Sequence, residues 1–95
     1  MSVKEAFQKK LQAQLDEWET EINKLKARAD KAGAEARLEY YKHVESLQAK
    51  HKAAKRKLDE FKETGDDAWE DLKAGMENAW SDLSNGVKSA MSRFK

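Results

Sequence analysis

A chain of 95 residues, 39% of them charged and 39% hydrophobic, can build one small domain and has too little apolar mass for a large compact core. Nineteen basic residues against eighteen acidic ones leave a net charge of +1, which gives no broad pull toward nucleic acid or anionic lipid. With no cysteine there is no disulfide or thiolate metal site, and with no proline nothing punctuates a composition typical of long helices and coiled coils. MSVKEAFQKKLQ carries no apolar signal-peptide core, and no run of about 18 apolar residues occurs anywhere. The expected setting is therefore soluble and cytoplasmic.

Ser2 with Glu5 three residues later reads as a capping box, so a helix is expected to start almost at once. Apolar residues then recur in alternating steps of three and four at Phe7, Leu11, Leu15, Trp18, Ile22, Leu25, Ala29, Ala32 and Ala36. The stripe continues through Tyr40, Val44, Leu47, His51, Ala54, Leu58 and Phe61. This is a narrow seam close to a heptad repeat. Gly33 is the one poor helix former along it, at a cost of about 1 kcal/mol. The pattern predicts one helix over residues 3–63, about 90 Å long at 1.5 Å per residue. Its seam (Phe7, Leu11, Leu15, Trp18, Ile22, Leu25, Ala29, Ala36, Tyr40, Val44, Leu47, Leu58 and Phe61) is the expected self-association surface.

Two further features bear on how such helices would pair. Ala27, Ala29, Ala32, Gly33, Ala34 and Ala36 leave little side-chain bulk mid-helix, which suits close backbone approach. Residues 16–21, DEWETE, are acidic, whereas residues 50–57, KHKAAKRK, are basic. Two copies running antiparallel would cross near residue 36 and set each acidic block beside the partner's basic one, so an antiparallel dimer is expected.

Thr64-Gly65-Asp66-Asp67 is the expected break. Gly65 suits a left-handed position ending the first helix, and Thr64, Asp66 or Asp67 can cap the next. The alternative is a helix running straight through, because Leu58, Phe61 and Gly65 also fit the frame described next. A turn over about residues 64–66 predicts a second helix over about 66–93.

That second helix repeats every eleven residues. AWEDLKAGMEN starts at Ala68, AWSDLSNGVKS at Ala79 and AMSRFK at Ala90. Eleven residues are three helical turns, so each repeated position returns to one side. Ala68, Leu72, Met76, Ala79, Leu83, Val87, Ala90 and Phe94 form the apolar stripe, with Trp69, Trp80 and Met91 on one shoulder and Gly75 and Gly86 on the other. The packing face is read as Trp69, Leu72, Met76, Trp80, Leu83, Val87 and Phe94. Such a wide face contacts more than one neighbour or lies on an interface. Repeats with Trp suggest reversible binding to a lipid surface. Residues 64–95, however, hold six acidic and four basic side chains, which favours packing against the first helix.

Chemistry-bearing motifs are scarce. His43 and His51 project from different sides of the helix, and Glu39 with His43 is an i, i+4 pair suited to local pairing. Di-iron bundles need repeated Glu-x-x-His ligands, which this sequence lacks. No glycine-rich phosphate loop follows a strand. KHKAAKRK is the one nucleic-acid signal, but acidic residues flank it and no aromatic platform interleaves with it. The reading is a non-enzyme without cofactor, metal or catalytic residues.

The pieces QLDEW and DAWEDLK are distinctive within LQAQLDEWETEINKLKARADKAGAEARLEYYKHVESLQAKHKAAKRKLDEFKE and DDAWEDLKAGMENAWSDL. On these, over nearly its whole length, the chain resembles a family of small bacterial coiled-coil proteins labelled uncharacterised or stress-response. The resemblance implies an all-helical, non-enzymatic protein and supplies no catalytic residues. More loosely, the repeats are similar to those of exchangeable apolipoproteins and late-embryogenesis desiccation proteins, in periodicity only. The expectation is an all-α protein, a long helix with a shorter C-terminal helix folded back on it. It is expected to self-associate as an antiparallel coiled coil or four-helix bundle and to serve a scaffolding or stress-protective role.

Overall fold

The computed structural model describes residues 2–65 and 67–93, which form three helices with no strand among the described residues. Helix α1 spans Val3–Lys31, α2 spans Ala34–Glu63 and α3 spans Trp69–Arg93. No described helix is long and apolar enough to cross a membrane. Ser2 caps α1 as its sequence suggests: the backbone is extended, and the hydroxyl accepts the Glu5 N–H at 3.2 Å.

The expected single helix over 3–63 is corrected at Ala32–Gly33, where the chain reverses. Both residues are extended, Ala32 at φ −78°, ψ 157° and Gly33 at φ −65°, ψ 164°. The Ala32 N–H returns to Ala29 O at 3.2 Å, and Arg37 N–H opens the next ladder on Gly33 O at 2.8 Å. The physical reason for the reversal is burial. A lone straight helix of that length leaves its apolar stripe in water, whereas folding at the middle lays one half of the stripe on the other.

A second junction follows α2. Thr64 caps it, its N–H bonded to Phe61 O at 3.1 Å and its hydroxyl donating to Glu60 O at 2.9 Å. Gly65 does not adopt the left-handed conformation expected for it, because no described glycine has a positive φ. The hydroxyl and extended backbone of Thr64 end the helix without one. A tight turn follows, with Ala68 N–H on Gly65 O at 3.1 Å, and α3 begins at Trp69. Asp66, one candidate cap, lies outside the described residues.

Contacts fix the topology. Lys4 donates to Thr64 O, the Phe7 and Phe61 rings sit 5.6 Å apart, Leu15 O meets His51, and Asp30 meets Tyr41, so α1 and α2 run antiparallel. Trp69 lies beside Phe61 at 5.9 Å, Asp82 pairs with Lys50 at 3.6 Å, and Arg93 bonds Glu39, so α3 runs antiparallel to α2. The whole is a rod of 52 × 20 × 19 Å, about the length of one 30-residue helix.

The core runs the length of this rod. Among the described residues Leu15, Leu25, Leu58, Phe61 and Leu83 are its largest fully buried side chains, and no polar side chain is buried with them. One end is closed by Phe7, Phe61 and Trp69, packed edge-on or tilted at 5.6–6.0 Å, with Lys4 over Phe61 and Lys73 over Phe7. The Ala32–Gly33 reversal forms the other end.

Candidate functional site

The seam read from sequence is present, but it closes within one chain. Leu11, Leu15, Ile22, Leu25 and Ala29 of α1 are buried, as are Val44, Leu47, Leu58 and Phe61 of α2, while Phe7, Trp18 and Tyr40 pack partly buried against them. Ala36 is the exception. It is exposed, because the reversal rotates the first turn of α2 away from the stripe that Ala29 belongs to. On α3, Trp69, Met76, Trp80, Leu83 and Val87 are buried. Leu72, expected on that face, is 41% exposed and not part of the buried face, and Phe94 lies outside the described residues. Trp80 is not on a shoulder but inside, its indole N–H donating to Leu11 O at 3.2 Å.

At the reversal, side chains from α2 clasp the end of α1. Arg37 donates through one Nη2 to Asp30 O and Ala32 O, each at 3.2 Å. These carbonyls lie in the last turn and cap of α1, where backbone acceptors run out of helical donors. The Tyr41 hydroxyl donates to Asp30 Oδ1 at 2.5 Å. That hydrogen bond, together with the Asp30 charge, pushes the Tyr41 phenol above its usual value, because both favour the protonated form.

The reversal was hidden by the evenness of the stripe, which passes through it in phase. A weaker signal was present: Arg28 and Lys31 end α1 and Glu35 opens α2, the charge order of a helix C-terminus followed by an N-terminus. Nothing local marked Asp30, Arg37 and Tyr41 as a set, since their meeting requires the fold.

The remaining candidates are separated. His51 bridges α2 to α1 with Nε2 2.8 Å from Leu15 O; since a carbonyl only accepts, that nitrogen carries the proton. Among the described residues no group of three or more His, Cys, Asp or Glu is placed to hold a metal ion. The acidic 16–21 block lies alongside the start of the basic 50–57 block, yet Lys50 pairs across to Asp82 of α3. The open groove between α2 and α3, of about 500 Å³, is lined mainly by small residues (Ala53, Ala54, Gly75, Asn78 and Ala79) and by Lys50, Lys57 and Asp82. No protein-family model, curated protein or solved structure matches this chain.

Proposed function

We propose that this is a non-enzymatic helical protein that works by associating with itself, in a scaffolding or stress-protective role of the kind implied by the family it resembles. One observation carries the reading. Lys4–Thr64, Phe7–Phe61, Leu15–His51 and Asp30–Tyr41 are each centred on residues 33–36. A pairing centred on one point is also the pairing of two antiparallel copies related by a two-fold axis at that point. The seam can thus pair with its own reverse, and a second copy can supply the side-chain contacts along it that the other half of the chain supplies.

Reversible lipid binding through α3 has less support. Its Trp80, Leu83 and Val87 are already covered, so a lipid surface must first displace them from α1 and α2. Nucleic-acid binding through residues 50–57 has less again, because Lys50 is paired with Asp82 and the neighbouring α3 surface is acidic. Sedimentation across micromolar to millimolar concentration tests the leading reading. A mass rising toward the dimer is expected, and a single monomeric species throughout would sink it.

A further inference from the structure

We propose that residues 29–37 are an exchange hinge: the α1–α2 hairpin opens into one continuous helix and re-forms its seam with a second copy of the chain. This rests on the self-association reading and names how it is achieved.

Four features of the hinge carry the inference. First, the backbone holds no strain or lock: Ala32 and Gly33 are ordinarily extended, no described residue has positive φ, and no side chain caps Gly33. Second, the stripe keeps helical phase across the hinge, through Leu25, Ala29, Ala32, Ala36, Tyr40 and Val44. In a continuous helix Ala36, exposed in the hairpin, rejoins the seam at the crossing point, where small side chains let two backbones approach.

Third, the hydrogen bonds balance. In the hairpin, Arg37 serves Asp30 O and Ala32 O; in a continuous helix the N–H groups of residues 34 and 36 take over those carbonyls. Fourth, the contacts away from the hinge, Lys4–Thr64, Phe7–Phe61 and Leu15–His51, share a centre to within one residue, so a second copy can re-form them. Opening removes the Arg37 bonds, since residues 30 and 37 then stand about 10 Å apart along the axis. It also places Gly33 mid-helix, a penalty of about fivefold per hinge. The Arg37 clasp and that glycine therefore hold the balance toward the hairpin.

Position 33 can be driven both ways. A Cβ there meets nothing within 4 Å, and φ of −65° suits proline as well as alanine. Gly33→Ala removes the helix penalty at two hinges per dimer and is expected to tighten dimerisation about 25-fold. Gly33→Pro fits the hairpin but clashes with the carbonyl of residue 29 in a continuous helix, so it is expected to leave only monomer. Circular dichroism reports whether each variant is folded. Exchange itself is read by mixing Glu19→Cys chains with Gln48→Cys chains, since Glu19 and Gln48 line one cavity across the seam. A short bis-maleimide is expected to join the two kinds of chain into dimers roughly 90 Å long by small-angle scattering, from 1.5 Å per residue. Dimers that form equally in folded Gly33→Pro, or that fail to cross-link 19 to 48, overturn the hinge while leaving self-association standing. Monomer at every concentration for both wild type and Gly33→Ala overturns both.

Discussion

Trp80 and Leu11, 69 residues apart, are joined by an indole N–H donated to a main-chain carbonyl at 3.2 Å inside the core. The bond ties α3 to α1 at a ring that is 4% exposed. Trp80→Ala is expected to cost about 3–5 kcal/mol, the range for emptying an aromatic site. Trp80→Phe keeps much of the volume and loses the bond, and is expected to cost about 1–2 kcal/mol. Urea unfolding followed by circular dichroism measures both; since each variant loses the bond, equal losses would mean that the volume of the ring adds nothing to it.

Leu72 occupies the matching stripe of the first repeat yet is 41% exposed, so its truncation has little to empty. Leu72→Ala is expected to change stability by less than about 1 kcal/mol. A loss comparable to that of Trp80→Ala would place Leu72 in an interface that a single chain does not contain.

Gly75 and Gly86 are equivalent in the repeat but not in space. A Cβ at Gly75 meets nothing within 4 Å, whereas one at Gly86 lies 3.0 Å from a terminal methyl of Leu47. Gly75→Ala is therefore expected to stabilise α3 by about 0.5–1 kcal/mol. Gly86→Ala should return less, because Leu47 must shift to admit it. Thermal melts of the two variants side by side decide this, and identical gains would show that Leu47 gives way freely.

Tyr41 and Asp30 couple the hairpin to alkaline pH. The phenol is held above its ordinary value of 10.0 by its bond to Asp30. Because the folded value is the raised one, the stabilisation is complete below the unfolded value and is lost as pH rises through the folded one. Stability should fall more steeply above pH 10 in the wild type than in Tyr41→Phe, which has no phenol beside Asp30 to titrate. Denaturation midpoints from pH 8 to 11.5 provide the comparison, and parallel curves would remove the coupling.

Much of the architecture was legible because it depends on period alone. The three-four spacing from Phe7 to Phe61 and the eleven-residue repeat from Ala68 specify which side of each helix is apolar. Of the expected seam and face, Ala36 and Leu72 stand outside the core for reasons of position: one follows the reversal, and the other lines an open groove with Lys57 and Glu60 of α2. The cap at Ser2 was legible for the same local reason, since its partner is three residues away.

What local pattern cannot state is which surface covers a given stripe. The sequence by itself determined that this chain is helical and that its first two-thirds carry one unbroken apolar seam. Only the tertiary structure decided that the seam closes on itself through Ala32–Gly33, with Arg37 and Tyr41 fastened to Asp30. The physical reason is that an apolar stripe marks which residues are buried and not which surface buries them.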